Sequence, residues 1–266
     1  MSVWEPDPPI SFEAFGVQIE LTLGDPGLES AVREILPPGR RLCAPTSSAA
    51  RFGLWPAEDD EYEATFQGAP IVEHASLSVA LTLLDSEIRL FVAAQAPDRV
   101  FVHAGVIALD GRALLIPGES FSGKTTLVAA LVDAGASYYS DEYAVLDEDG
   151  LVHPYRRPLR LRAAGGVTPG HRVTTDPGSA RAEPVALGAI ALTRYRPGFE
   201  WKPRRVSRGQ ALVALMAHTI PALARPEESM RTLGRAITGA TVLESDRGEA
   251  APVAAALLDE LAALAH

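Results

Sequence analysis

A glycine-rich stretch in the middle of the chain carries the sequence's strongest chemical pattern. Residues 118–125, GESFSGKT, match G-x-x-x-x-G-K-[ST], the spacing of a loop whose backbone N–H groups surround phosphate oxygens. In such a loop Lys124 reaches the β- and γ-phosphates of a nucleotide, and the Thr125 hydroxyl ligates Mg²⁺. We therefore predict an ATP- and Mg²⁺-binding site in this segment, which we call the glycine loop. The predicted nucleotide-binding residues are Gly118, Glu119, Ser120, Phe121, Ser122, Gly123, Lys124, Thr125 and Thr126.

An acidic pair, Asp141 and Glu142, follows the glycine loop at a spacing that would allow a neighbouring strand to bring it beside the loop. The pair comes 23 residues after Gly118, about one helix and one strand later. A kinase needs a carboxylate near the metal and benefits from a base for the acceptor hydroxyl, and two adjacent acids could divide these roles. Most such pairs are solvated turns, so the prediction depends on a neighbouring strand bringing the pair beside the loop.

His103 lies in an apolar stretch 15 residues before Gly118. Asp110-Gly111, between two β-rich runs, is a hairpin signal that should return the chain alongside His103. A lone histidine in a strand is more often a packed core residue than a catalytic one. The hairpin nevertheless favours a supporting role, for instance pairing with Asp141 and tuning its protonation.

The order strand, loop, helix around residues 112–135 is the context that the phosphate-binding pattern requires. The whole chain is predicted to be α/β, with a small mixed α+β N-terminal domain at 1–98 and a nucleotide-binding domain at 99–266. Predicted strands cover 17–23, 62–68, 99–109, 112–118, 156–162, 186–193 and 241–244, with a further β segment over 136–150. Predicted helices cover 28–36, 76–96, 125–135, 209–219, 227–238 and 251–265, with a long loop at 163–184 and a basic loop at 194–208.

Composition limits the classes of binding partner and the cellular compartment that we expect. A net charge of −10 argues against generic binding to nucleic acid or to an anionic membrane. No apolar stretch approaches a transmembrane span, and the acidic N-terminus is unlike a signal peptide. Cys43 is the single cysteine, so a disulfide or cysteine-based metal framework is excluded and a reducing, cytoplasmic setting fits best.

Taken together, HAG…GESFSGKT…SDE resembles the catalytic domain of HPr kinase/phosphorylase over roughly residues 100–162. It is still more similar to HPr-kinase-like serine kinases of bacterial peptide-modification clusters, including those that phosphorylate lasso-peptide precursors. The resemblance implies a P-loop core like that of phosphoenolpyruvate carboxykinase, in a family that forms oligomers.

The resemblance also implies a role for each matched residue. Lys124 binds phosphates, Thr125 and Glu142 help hold Mg²⁺, and His103 supports catalysis. Asp141 is implied as the general base, next to the metal.

Two departures from HPr kinase concern the substrate. Glu142 stands where HPr kinase typically has aspartate, and Thr126 where it usually has an acid. The glycine- and arginine-rich signature linked to phosphorolysis is not found in the sequence. These departures argue against HPr as the acceptor and against the reverse reaction.

Two arginine clusters, within 156–162 and 194–208, stand out in an acidic chain. One interpretation is solvated surface paired with the many acids. The other is that one cluster contacts phosphates and the other an acidic or C-terminal acceptor, with the loop at 163–184 closing over the site. The candidate substrate-binding residues are Arg156, Arg157, Arg194, Arg196, Arg204 and Arg205.

The leading hypothesis is an ATP-dependent kinase for a serine-type hydroxyl on a peptide or small protein. The alternatives are a small-molecule kinase or an NTPase, and a nonenzymatic ATP-binding sensor. A sensor needs only the phosphate cradle, so the presence of both Asp141 and His103 favours chemistry.

Overall fold

The structure is a computed structural model that describes residues 8–119, 122–159 and 183–264. The chain divides into two units, residues 1–98 and residues 99–266. Some sequence predictions lie outside the described residues. These are Ser120 and Phe121 of the glycine loop, the end of the strand predicted at 156–162, most of the loop predicted at 163–184, and the last residue of the helix predicted at 251–265.

The first unit is built on a six-stranded sheet of order β3-β1-β2-β4-β5-β6, in which β2 and β4 are parallel and every other pair is antiparallel. Helix α2 packs against β5 and β6, where Phe91 meets the stacked rings of Phe52 and Phe66. The strands are β1 (Ile10–Ala14), β2 (Val17–Leu23), β3 (Arg41–Leu42), β4 (Ala50–Pro56), β5 (Tyr62–Phe66) and β6 (Ala69–Ala75). The helices are α1 (Glu29–Ile35) and α2 (Leu77–Gln95).

The second unit contains an eight-stranded mixed sheet of order β11-β10-β7-β8-β12-β14-β13, with β9 also paired to β7. Strands β8, β12 and β14 are parallel, so their carboxyl ends share one edge of the sheet. The strands are β7 (Val100–Leu109), β8 (Arg112–Pro117), β9 (Ser137–Ser140), β10 (Tyr143–Leu146), β11 (Val152–His153), β12 (Ala186–Tyr195), β13 (Arg204–Arg205) and β14 (Thr241–Arg247).

Helices cover both faces of this sheet. Buried residues of α4 and α5 form one core with alternate residues of β7 and β8, and buried residues of α3 and α6 form the other. The sheet is therefore the middle layer of an α/β/α arrangement, which explains why its strands are apolar on both sides. The helices are α3 (Lys124–Asp133), α4 (Arg208–Ala217), α5 (Pro226–Ala236) and α6 (Ala250–Ala263). Within the described ranges, no helix combines the length and hydrophobicity needed to span a bilayer.

The predicted hairpin is confirmed. Leu109 and Arg112 are paired, and Asp110 and Gly111 both have positive φ, as a two-residue turn requires. The acidic pair interrupts what was predicted as one β segment, so β9 ends before it and β10 begins after it.

Two predictions about the arginine-rich segments are wrong. Residues 156–159 form no strand, and Pro158 in this segment has no N–H group to donate to a sheet. The segment 194–208 is not one loop, because β12 continues through Tyr195 and Arg204–Arg205 form β13 against β14. Strand β14 likewise extends three residues beyond the predicted 241–244.

Helix α3 lies close to β7 at Gly105. A Cβ atom there would lie 2.6 Å from Cγ2 of Val128 and 3.9 Å from Cβ of Lys124. Glycine at this position therefore fixes how close the start of α3 lies to β7.

We predict that Gly105→Ala lowers the free energy of unfolding by about 1–3 kcal/mol through overpacking. Val128→Ala should also destabilise, because it leaves a cavity. The double variant should be more stable than the sum of the two losses predicts, because alanine at 128 makes room for the new methyl group. Denaturant titration measures all three. Strict additivity would show that the two residues do not limit this contact.

Candidate active site

The glycine loop connects β8 to α3 at the carboxyl edge of the parallel strands. Gly123 is the N-cap of α3, directly before Lys124. Its φ of +81° places it in the left-handed region that favours glycine. The edge beyond the carboxyl ends of parallel strands is where α/β proteins commonly bind ligands, and a helix N-terminus there favours anions.

Lys124 is folded back onto the loop. Its side chain is buried, and Nζ donates to the carbonyl oxygens of Gly118, at 2.7 Å, and Glu119, at 2.5 Å. Burial lowers the pKa of Lys124 to about 8, although the carboxylates of Asp141 and Glu119 raise it in part. The ammonium group is therefore held against the first two residues of the loop.

Asp141 lies beside the first turn of α3. Thr125 Oγ1 donates to Asp141 Oδ2 at 3.1 Å, and the Tyr138 hydroxyl lies 2.9 Å from Asp141 Oδ1 and 3.0 Å from the Arg157 carbonyl oxygen. Burial raises the pKa of Tyr138, and the Asp141 carboxylate raises it further, so this hydroxyl remains a donor. The predicted proximity of the acid to the loop is therefore present in the structure.

The turn between β9 and β10 holds the acidic pair in place. The buried Ser140 hydroxyl oxygen accepts from the backbone N–H groups of Glu142, at 3.0 Å, and Tyr143, at 2.9 Å. The Glu142 carbonyl accepts from Ala104 N on β7 at 3.1 Å. The backbone of Glu142 is thus fixed next to β7, one residue from the Asp141–Thr125 contact.

His103 lies within reach of Gly118, as the hairpin predicted. The Gly118 N–H donates to the His103 carbonyl at 3.3 Å, and the His103 ring centroid lies 6.1 Å from that of Tyr143. His103 is therefore positioned between the loop and the acidic turn.

Sequence reasoning missed His218, at the carboxyl end of α4. Its carbonyl accepts from His103 N at 2.8 Å. Burial and the nearby positive charge of Lys124 lower the pKa of His218, while Glu119 raises it. No local pattern marked this residue, because its position depends on the segment after α4 pairing with β7, where Val102 lies opposite Thr219.

Arg247 is the second residue missed. It is 2% exposed, and Nη2 donates to the Gly123 carbonyl at 2.8 Å. Its guanidinium carbon lies 5.5 Å from the Tyr195 ring centroid, and among the described residues its buried Nε has no hydrogen-bond partner. A cation at the amino end of α3 strengthens the positive potential that an anion would meet there. The pairing of β12 with β14 places Tyr195 opposite Arg247, and nothing in the local sequence signals that pairing.

The arginine clusters differ in their surroundings. Arg194 and Arg196 both pair with Asp246, at 3.1 and 3.0 Å, while Arg204 pairs with Glu244 and Arg205 with Glu260. These contacts match the interpretation of surface charges paired with acids. The Arg157 carbonyl, in contrast, shares the Tyr138 hydroxyl with Asp141, so the first cluster adjoins the acidic turn.

The donor set fits the predicted ligand. Thr125 and Asp141 offer neighbouring oxygen atoms, and Mg²⁺ in phosphotransferases takes one or two protein oxygens plus phosphates and water. Within the described ranges no three His, Cys, Asp or Glu side chains form an all-protein metal site, which such a magnesium does not need. The Ser122 hydroxyl is buried in the loop and bonds to none of the described residues, so a polar group remains to be satisfied there. Thr126, also predicted to bind nucleotide, is exposed on the first turn of α3.

Neither protein-family models nor curated proteins yield a match to this chain.

The chain's two lysines should titrate in opposite directions from the ordinary value. Burial lowers the pKa of Lys124 to about 8, whereas the bond to Glu200 raises the pKa of exposed Lys202. NMR of ¹³C- and ¹⁵N-lysine-labelled protein should therefore show one transition near pH 8 and one above pH 10.5. Because a neutral amine attracts no phosphate, affinity for tripolyphosphate should fall as the pH rises through about 8. Two transitions near pH 10.5 would contradict the burial of Lys124.

Proposed function

We propose that the chain is an ATP- and Mg²⁺-dependent phosphotransferase with a P-loop core of the HPr-kinase and phosphoenolpyruvate-carboxykinase type. On this proposal it transfers the γ-phosphoryl group to a serine-type hydroxyl of a peptide or small protein. The observation that carries the proposal is the meeting of Lys124, Thr125 and Asp141 at the start of α3. This combines a phosphate-binding cation, a metal-binding hydroxyl and a carboxylate in one place.

Nucleotide binding changes the partner of Lys124. In the structure its ammonium is satisfied by two loop carbonyls, and phosphate oxygens are stronger, charge-assisted acceptors for the same group. Arg247 donates to the Gly123 carbonyl, so on this proposal that carbonyl is satisfied by the protein and the loop's N–H groups remain for the anion. Mg²⁺, when bound beside Thr125 and Asp141, neutralises developing phosphate charge.

Asp141 is the proposed general base. It would accept the proton of the acceptor hydroxyl as that oxygen bonds to the γ-phosphorus and the bond from phosphorus to the ADP oxygen breaks. Donors at both of its oxygens, Thr125 and Tyr138, orient the carboxylate before the acceptor arrives. Positioning of this kind accounts for much of phosphoryl-transfer catalysis.

The first arginine cluster is the better candidate for holding the acceptor. Arg156 and Arg157 follow Tyr155 on the segment that Tyr138 ties to Asp141, whereas Arg204 and Arg205 lie on β13 at the end of the strand order. A bidentate guanidinium contact near the base would immobilise a flexible peptide.

We expect Asp141→Asn to lower kcat by about 10²–10⁴-fold while ATP still binds, because the amide keeps the shape but cannot accept a proton. Asp149→Asn, at an exposed turn, is the matched control and should leave kcat unchanged. Rapid-quench kinetics with calorimetric ATP titration measures both effects. A kcat equal to that of the parent protein would remove Asp141 from the role of base.

The acceptor is tested with candidate peptides encoded near the gene, incubated with ATP and Mg²⁺. Phosphorylation adds about 80 Da to one hydroxyl, which mass spectrometry detects. Arg156→Gln and Arg157→Gln should raise the peptide KM more than the ATP KM, and Arg204→Gln with Arg205→Gln is the control pair. Modification of a free metabolite alone would favour a small-molecule kinase, and ATP hydrolysis without any acceptor would favour an NTPase.

A further inference from the structure

A cavity of about 480 Å³ lies at the carboxyl edge of β12 and β14. Phe199 and Trp201, from the segment after β12, form part of its wall, and Pro252, Val253 and Ala256 of α6 form another part. Its size is in the range of small-molecule sites.

The cavity adjoins the glycine loop through two residues. Glu249 lines the cavity and accepts from the Tyr195 hydroxyl at 3.1 Å. Tyr195 also lies at the loop, because its Cβ is 3.9 Å from a Cβ built on Gly123. Arg247, bonded to the Gly123 carbonyl, immediately precedes Gly248 and Glu249 of the cavity wall. A ligand with one end in the loop therefore has this cavity next to it.

The lining suits a neutral, flat group and not an anion. Among the described residues, the charged members of the lining are two acids, Glu200 and Glu249. Glu200 pairs with Lys202 and Glu249 accepts from the Tyr195 hydroxyl, and the remaining carboxylate oxygens can accept from N–H groups on the edge of a nucleobase. The aromatic side chains offer stacking faces, and a purine has the larger face to stack.

The wall carrying Phe199 is held firmly. The Arg196 guanidinium lies over the Phe199 ring at 5.3 Å and pairs with Asp246. At Gly248 a Cβ atom would lie 2.4 Å from the Phe199 carbonyl oxygen, so only glycine permits this approach. The half-exposed ring of Phe199 is thus fixed at the cavity without being buried in a core.

We propose that this cavity binds the purine base of the nucleoside triphosphate whose phosphates the glycine loop holds. The inference rests on the proposed function, because it places the remainder of the same ligand. It assigns nucleotide recognition to the segment after β12 and to the start of α6.

The experiment compares ATP with inorganic tripolyphosphate, which has the phosphates and no base. Calorimetry with Mg²⁺ is run on the parent protein, on Ala256→Phe and on Ala255→Phe. Ala256 lines the cavity and its neighbour Ala255 is exposed on α6 outside it, so the pair differs only in where the ring is placed. Unchanged tripolyphosphate binding shows that each variant is folded at the loop.

We expect Ala256→Phe to weaken ATP binding about tenfold or more, as loss of one stacked base implies, and to leave tripolyphosphate binding unchanged. Ala255→Phe should change neither, and the parent protein should prefer ATP and GTP to UTP. ATP binding no tighter than tripolyphosphate, equal binding of UTP, or an unaffected Ala256→Phe variant would overturn the base site while leaving the phosphate loop intact. Failure of the parent protein to bind either tripolyphosphate or ATP would overturn the proposed function, and this inference with it.

Discussion

Strand β7 sets the geometry of the candidate site, because neighbouring strands pair with both of its sides at residues 103–106. On one side Ala104 pairs with Pro117, so β8 ends, and the glycine loop begins, next to His103. On the other side Ser140 lies opposite Val106 and Tyr143 opposite His103, which leaves Asp141 and Glu142 in the gap between β9 and β10. A shift of one residue in either register would turn the site's side chains to the other face of the sheet.

The side chain of Lys124 is held in surroundings that favour its neutral form. Removing Lys124 from water costs free energy, and two carbonyl oxygens with nearby carboxylates compensate for only part of it, since the pKa of Lys124 still falls to about 8. A bound anion beside Lys124 would favour the charged ammonium and raise the pKa of this lysine. Lys124 would exchange its two carbonyl partners for phosphate, whereas Asp141 is already oriented by Thr125 and Tyr138 before a ligand arrives.

The features that could be predicted from the sequence are local ones. Asp110-Gly111 fixes the hairpin, and the hairpin alone places His103 beside Gly118. Strands β4 and β6 were not predicted, and β4 contains Gly53 and Pro56 while β6 contains Pro70. The sheet tolerates Pro70 in β6, which lies at the end of the strand order.

The missed site residues depend on contacts between distant segments. His218 reaches the site from the end of α4 and Arg247 from β14, and both follow the loop by more than ninety residues. The same holds for the arginines of 194–208. Their acidic partners become neighbours only when β14 pairs with β12 and β13, or when α6 folds back onto the sheet.

The short strands at the two ends of the larger sheet affect whether another chain can add a strand to it. β11 and β13 contain two residues each, and β13 consists of two arginines. Long, apolar edge strands recruit further strands from other chains, and short or charged ones resist this. Among the described strands, both ends of the sheet are therefore poor templates for pairing with another chain. This disfavours edge-to-edge aggregation of a sheet rich in Val, Ile and Leu.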